Sequence, residues 1–222
     1  MTLRLDLVRI GDALLEVEQD WPRIDADLQR LQIGRKAPFT SVLRCNMLTA
    51  YAYLDELLDL NLEPFSDPGM EGMLALNHRV HYGLDEGLMA QFAMAVEAAI
   101  DKFNTNIEPI ANWYWKHLGQ GDDPYKLAAE TYVSIVGEPQ LFIEGNHRTG
   151  ALIASWINLR FGYPPFVLSA NNAIPYFAPS AEIKRFADRS TWRGRMRLPK
   201  YRKSFAEFWK SHVEAKYVYE KA

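Results

Sequence analysis

The chain of 222 residues has a single cysteine, Cys45, so it cannot form an internal disulfide. One lone thiol agrees with a reducing compartment. Long apolar runs are also missing, because none approaches the roughly 20 residues that a membrane-spanning helix needs. The N-terminal residues are acidic and amphipathic, without the basic, apolar and small-residue order of a secretion signal. We therefore expect a cytoplasmic protein that has no membrane partner.

A large net charge is absent too, but the charges are unevenly spread. The chain carries −3 overall, whereas the segment from Lys184 to Lys203 holds nine basic residues and one acid, Asp188, a net of +8. The rest must carry −11, since +8 and −11 sum to −3. Such a segment attracts phosphates, acidic partners or nucleic acid, although a solvated surface has the same composition. Nucleic acid is the least favoured of these readings.

Helical periodicity is the feature that the sequence has in abundance. Apolar residues spaced three and four apart predict helices over about 4–31, 40–60, 87–118, 124–136, 146–161, 180–189 and 204–216. Pro22 is expected to kink or restart the first helix, and Asp123 to cap the helix that begins at Pro124. Cys45 is expected to pack on a buried helix face. No repeat or linker divides the chain, which predicts one mostly α domain over 1–222.

Two segments between these helices are predicted to be non-helical. Residues 63–72, EPFSDPGMEG, contain two prolines and two glycines and are predicted to form a loop. Residues 75–83, ALNHRVHYG, alternate and end in glycine, which favours a short extended hairpin. On such a strand His78 and His81 would face opposite sides, so they are not expected to share a zinc ion.

Residues 140–151, QLFIEGNHRTGA, turn through a glycine into an apolar helix. Gly145 allows a close backbone approach, and a helix that begins at Asn146 would leave its first N–H groups free to bind an anion. Arg148 adds a forked cation for phosphate oxygens, and Glu144 adds a carboxylate for Mg²⁺. The pattern predicts a phosphate and metal site. The alternative is an ordinary helix start with Asn146 as N-cap, Glu144 on the surface and Arg148 in a salt bridge.

This segment resembles the signature of the Fic (filamentation induced by cAMP) domain family, His-x-Phe-x-(Asp/Glu)-Gly-Asn-x-Arg-x-x-Arg. The residues that match are Phe142, Glu144, Gly145, Asn146 and Arg148. The similarity extends over about 124–168, and the helical pattern is compatible with it from about residue 40. The resemblance implies an all-α bundle of the Fic type with one small β-hairpin, the flap that clamps a target.

The resemblance also implies an organisation and a set of roles. It divides the chain into an N-terminal helical extension (1–39), a Fic core (40–170) and a basic, helical C-terminal segment (171–222). The implied nucleotide contacts are Gly145, Asn146, His147, Arg148 and Thr149, with Glu144 as the Mg²⁺ ligand. The implied flap consists of Asn77, His78, Arg79, Val80 and His81. Family members typically transfer AMP from ATP to a hydroxyl of a target protein.

Two positions depart from the family pattern. Gln140 stands where the family has the His that takes the proton from the attacking hydroxyl, and an amide has no useful basicity near neutral pH. Ala151 replaces the second Arg, which supports the far end of the triphosphate in the family. His147 and Glu138 are the candidate substitute bases.

Three function classes therefore stay open. The chain is a divergent nucleotidyl transferase that modifies a protein, an inactive Fic-like module that binds a nucleotide or a protein, or a nucleic-acid-associated protein that acts through the stretch 184–203. The sequence does not indicate the target protein. A homo-oligomer is compatible with all three classes.

Overall fold

The computed structural model describes residues 2–33, 38–186, 188 and 190–221 of the chain. Within those residues helices account for most of the chain, which confirms the all-α fold class. The helices are α1 (Leu7–Gln19), α2 (Trp21–Arg30), α3 (Ser41–Asp59), α4 (Asp67–Tyr82), α5 (Glu86–Gln91), α6 (Ala93–Gly119), α7 (Pro124–Val136), α8 (Asn146–Arg160), α9 (Ala173–Phe186) and α10 (Trp192–His212). The strands are β1 (Thr2–Leu5) and β2 (Val218–Lys221).

Several helix boundaries follow from local capping chemistry, which the sequence predicts for the helix that begins at Pro124. The side chain of Thr40 accepts a hydrogen bond from the Leu43 N–H and so caps α3. Asp123 caps α7 through the Tyr125 N–H, and Pro124 is the first helical residue. Pro22 lies in the first turn of α2, where it restarts the helix.

The small sheet lies elsewhere than predicted. β1 and β2 pair antiparallel, with Thr2 opposite Lys221 and Leu5 opposite Val218, so the sheet joins the two ends of the chain. The prediction of an extended hairpin over 75–83 is wrong, because these residues belong to α4 and its C-cap. The predicted loop over 63–72 is correct only up to Ser66, which caps α4 through the Gly69 N–H.

Gly69 explains why the first turns of α4 are predicted to be a loop. A Cβ at Gly69 would lie 1.9 Å from the carbonyl oxygen of Glu63, so this glycine permits a close backbone approach inside a helix and does not form a turn. His78 and His81, three residues apart on a helix, consequently lie toward the same side of α4.

Other differences concern helix length and exposure. Proline does not end the helices α6, α9 and α10, which run through Pro109, Pro179 and Pro199 respectively. The last two helices are therefore longer than predicted. Cys45 is exposed on α3, not packed as expected. In the basic stretch 184–203, residues 187 and 189 and the side chain of Arg185 lie outside the described residues, as do residues 34–37 of the N-terminal extension.

The core is centred on α7 and α8, which pack closely on each other. Every residue of α7 from Leu127 to Val136 is buried, and so is every residue of α8 from Thr149 to Leu159. The segment that joins these two helices is therefore anchored at both ends in the most buried part of the molecule. Across the described residues, no helix combines the length and the apolarity that a bilayer span requires.

Asp55 on α3 holds the N-terminal strand. Its carboxylate accepts hydrogen bonds from the guanidinium of Arg4, at 2.9 and 2.5 Å, and from the Leu5 N–H, at 2.8 Å. These contacts raise the pKa of Arg4. The neighbouring Asp59 accepts a third bond from Arg4 at 2.6 Å, but its side chain is 48% exposed against 11% for Asp55.

Substitution of Asp55 by Ala should lower the free energy of unfolding by about 2–4 kcal/mol, because the buried Leu5 N–H and the Arg4 guanidinium both lose their acceptor. The matched variant Asp59→Ala removes a more exposed contact and should cost less than about 1 kcal/mol. Urea denaturation of the two variants measures the difference. Equal losses would show that Asp55 does not anchor the strand.

Candidate functional site

The loop between α7 and α8 begins with Gln140, which holds the end of α7. Its side-chain amide donates a hydrogen bond to the carbonyl oxygen of Val136, the last residue of α7, at 3.2 Å. Such a bond satisfies one of the carbonyl groups that a helix end leaves free. The position that carries the base in the Fic signature therefore has a structural contact in this chain.

Asn146 fixes the shape of the loop from inside the protein. Its Oδ1 accepts a hydrogen bond from the Phe142 N–H at 2.8 Å, and its Nδ2 donates to the Phe142 carbonyl at 2.9 Å. The side chain of Asn146 is buried, and the ring of Phe142 stacks on Phe103 in the core. Asn146 is thus not the N-cap of α8, and its amide faces the loop's own backbone.

Gly145 provides the turn into α8. Its φ of +73° lies in the left-handed region, which favours glycine, and Gly145 occupies the N-cap position. Among the described residues, no side chain caps this helix start. The first N–H groups of α8 therefore lack the side-chain acceptor that usually covers one of them. This is the arrangement that the sequence predicts for an anion site.

Helix α4 packs directly on the loop. Nδ2 of the buried Asn77 donates to the Glu144 carbonyl at 3.1 Å and to the Thr149 hydroxyl at 3.0 Å. Nε2 of His81 would lie 2.5 Å from a Cβ placed on Gly145, so the imidazole closely covers this glycine. Arg148 donates to the carbonyl oxygen of Val80 at 3.2 Å. The residues predicted to form a flap thus approach the loop from a helix.

The remaining residues predicted for the flap point to other contacts. The guanidinium of Arg79 lies 3.6 Å from the centre of the Tyr53 ring and donates to the Ala75 carbonyl. His78 is half-buried on α4, and burial lowers its pKa. Thr149 is fully buried and its hydroxyl accepts from Asn77, so this predicted phosphate ligand faces α4.

Arg148 is the cation of the loop. The side chain is half-buried, and burial lowers its pKa, while the charge of Glu144 acts in the opposite direction. Among the described residues, the guanidinium makes its one side-chain hydrogen bond to Val80 and forms no ion pair. The predicted alternative of a salt-bridged Arg148 is therefore wrong. Because a guanidinium has five N–H donors, several remain for a ligand.

His147 is held by a buried group of hydroxyls. Its Nδ1 lies 3.1 Å from the Tyr132 hydroxyl, and its carbonyl accepts a hydrogen bond from the Tyr176 hydroxyl at 2.8 Å. The Tyr132 hydroxyl also contacts Tyr176, at 3.1 Å, and Ser180, at 2.8 Å. Burial raises the pKa of Tyr132, which keeps this hydroxyl protonated. One ring nitrogen of the predicted substitute base is thus directed at the core.

Two further positions limit the chemistry of the loop. Ala151, which takes the place of the second Arg in the signature, is 6% exposed and belongs to the core. Glu144 is exposed at the loop. No cluster of three or more metal-ligating side chains exists within the described parts of the chain. A Mg²⁺ ion at Glu144 would therefore depend on phosphate oxygens for its other ligands.

No family model, no curated protein and no solved structure matches this chain. The resemblance to the Fic signature therefore stays a prediction from the residues between Phe142 and Arg148. His81 and Asn77 are the site residues whose contacts the sequence could not indicate, because the alternation of 75–83 favoured a strand.

The pKa of His81 is lowered by burial and by the nearby charge of Arg148. Because the unfolded imidazole titrates near pH 6.5 and the native one at lower pH, the unfolded state binds more protons between these two values. The free energy of unfolding should therefore fall as the pH is lowered below about 6.5. Above that pH, His81 is neutral in both states and contributes no slope.

His81→Gln should reduce this pH dependence, as measured by urea denaturation between about pH 4.5 and 7.5. The pKa of His78 is lowered too, so the double substitution of His78 and His81 by Gln should flatten the dependence of the free energy of unfolding on pH most. His212→Gln, at the end of α10, is the control. A slope that His81→Gln leaves unchanged would contradict the prediction.

Proposed function

We propose that the loop from Glu144 to Arg148 binds the phosphate groups of a nucleotide or of another phosphate-containing ligand, and that the chain is a Fic-like binding module. The observation that carries the proposal is Arg148, a half-buried cation with spare donors beside a helix start that no described side chain caps. A helix N-terminus and a guanidinium both favour a phosphate at this place.

The surroundings indicate the side from which a ligand would approach. His81 and Asn77 cover Gly145 on the side of α4. Ile143 and Glu144 are exposed on the loop, with Ile143 at 45%. A phosphate group would therefore reach the start of α8 past these two residues. A Mg²⁺ ion that bridges phosphates would then lie within the reach of the Glu144 carboxylate.

The contacts of Gln140 favour binding without transfer. Its amide holds the Val136 carbonyl, and an amide cannot accept the proton of an attacking hydroxyl. A divergent transferase is the second candidate, because an imidazole, that of His81, lies next to Gly145, and burial lowers its pKa and so favours its neutral form. His147 is the other candidate base.

Arg148→Gln should weaken Mg²⁺-dependent binding of ATP by roughly 10- to 150-fold, which corresponds to the 1.5–3 kcal/mol of a charge-assisted contact. Isothermal titration calorimetry with ATP, with and without Mg²⁺, measures the effect. The matched control is Arg79→Gln, which removes the same charge from α4 where the guanidinium lies on Tyr53. Equal affinities of wild type and Arg148→Gln, or no ATP binding by wild type, would contradict the proposal.

The unmodified chain should transfer little labelled AMP from ATP to itself or to lysate proteins, because the residue at position 140 is an amide and not a base. Gln140→His should raise the transfer, since a positioned general base contributes about 10²–10⁴-fold. An imidazole N–H can also keep the hydrogen bond to Val136, so the loop should persist.

Gln140→Ala is the control for this experiment, because it removes the amide without supplying a base. Ala151→Arg is unsuitable as a companion change, since it would bury a guanidinium in the core. Strong transfer by the unmodified chain would show that another residue acts as base, and His81→Gln and His147→Gln would then identify it.

A further inference from the structure

Helix α6 extends past the core on which it packs. Its C-terminal part buries Phe103, Ile107, Ile110 and Tyr114 at spacings of three and four residues. None of residues 84–102 is buried, although this segment contains the apolar run MAQFAMAVEAAI. The apolar side of α6 therefore continues beyond the core. The first turns of the helix are not buried by any other described residues.

A groove lies between α4 and α6 at the point where α6 leaves the core. It has a volume of about 220 Å³ and is lined by Met70, Leu74, Phe103 and Ile107, with the exposed carboxylates of Asp67 and Glu71 on its α4 side. Within the described residues, neither carboxylate forms an ion pair. An apolar groove with an acidic rim fits a helix whose outer face combines apolar and basic residues.

The outward face of α10 has this composition. Trp192 is 62% exposed and Met196 is 71% exposed, and they are four residues apart on the helix. Lys200 and Lys203, both exposed, continue the same face along α10. Its opposite face is buried against α7 and α9 through residues such as Leu198, so α10 is held in place while Trp192 and Met196 point outward.

We propose that the groove between α4 and α6 receives the outward face of α10 from a second copy of this chain. The argument is charge complementarity: the groove offers Asp67 and Glu71 beside apolar residues, and the helix offers Lys200 and Lys203 beside Trp192 and Met196. A chain does not fill its own groove, because its α10 packs on α7 and α9. Tryptophan is also one of the residue types that are enriched among the side chains that contribute most to binding.

Each contact joins two different surfaces, the groove of one copy and the α10 face of another. Two copies that exchange both contacts form a closed two-fold dimer, whereas copies that bind a different neighbour through each surface form a ring or an open chain. The proposal does not depend on the phosphate site, because neither surface includes the loop between α7 and α8.

Sedimentation velocity of the full chain tests the proposal. Over roughly 1–100 µM, the range of a weak interface, the wild type should form species larger than the 25.5 kDa monomer. Added salt should weaken this association, because the contact includes exposed charges. Two paired substitutions, Asp67→Lys with Glu71→Lys and Lys200→Glu with Lys203→Glu, should each weaken it about tenfold or more.

The charge-reversed variants also test whether the two surfaces meet each other. A chain with all four substitutions, or an equal mixture of the two paired variants, should associate again because the signs are complementary once more. The control is Asp12→Lys with Glu16→Lys, two exposed acids at the same spacing on α1, which should leave association unchanged. Trp192→Ser should weaken association without a change of charge.

Several outcomes would overturn the proposal. A wild type that stays monomeric over the whole range would do so, and so would association that neither paired substitution weakens. Loss in both paired variants without recovery in the mixture or in the four-fold variant would show that the surfaces do not contact each other. A monomer that binds duplex DNA through Lys200 and Lys203 would assign this face of α10 to nucleic acid.

Discussion

The two hydrogen bonds between the Asn146 amide and the Phe142 backbone determine the shape of the candidate site. They close the turn from within the protein, because one atom of the amide accepts and the other donates. Gly145 adopts its positive φ within this turn, and α8 begins directly after it. That start places Arg148 against α4 and His147 against Tyr132. An aspartate at position 146 would lose the donor, and an alanine would lose both groups.

The parts of the fold that could be predicted from the sequence are those whose cause is local. Thr40 and Asp123 cap the helices that follow them, and a proline in the first turn confirms the start of α7. The first turns of α4 could not be predicted, because Gly69 resembles a turn residue in the sequence. Position 69 requires a glycine because the Glu63 carbonyl approaches it too closely for any side chain. Such a contact between a helix and its preceding loop leaves no periodic signal.

The candidate site shows the same division. Its loop was predictable because acid, glycine, asparagine and arginine follow one another within five residues. Which of these residues face outward was not, since that depends on the position of α4. Asn77 donates a hydrogen bond to the Thr149 hydroxyl inside the protein, whereas Arg148 has further N–H donors beside the helix start. Spacing in the sequence places residues in one loop, and the neighbouring helix decides which of them can meet a ligand.

Helix α4 contributes to both proposed surfaces, and this raises the question of whether they are coupled. Its C-terminal half contacts the loop through Asn77 and His81, and its N-terminal half lines the groove through Met70 and Leu74. Coupling requires an element with two arrangements that each ligand stabilises to a different degree. The buried residues between the two ends, and the backbone contact at Gly69, hold α4 in one position. A helix that keeps one position transmits no population shift, so ligand binding at the loop and association at the groove are expected to be independent.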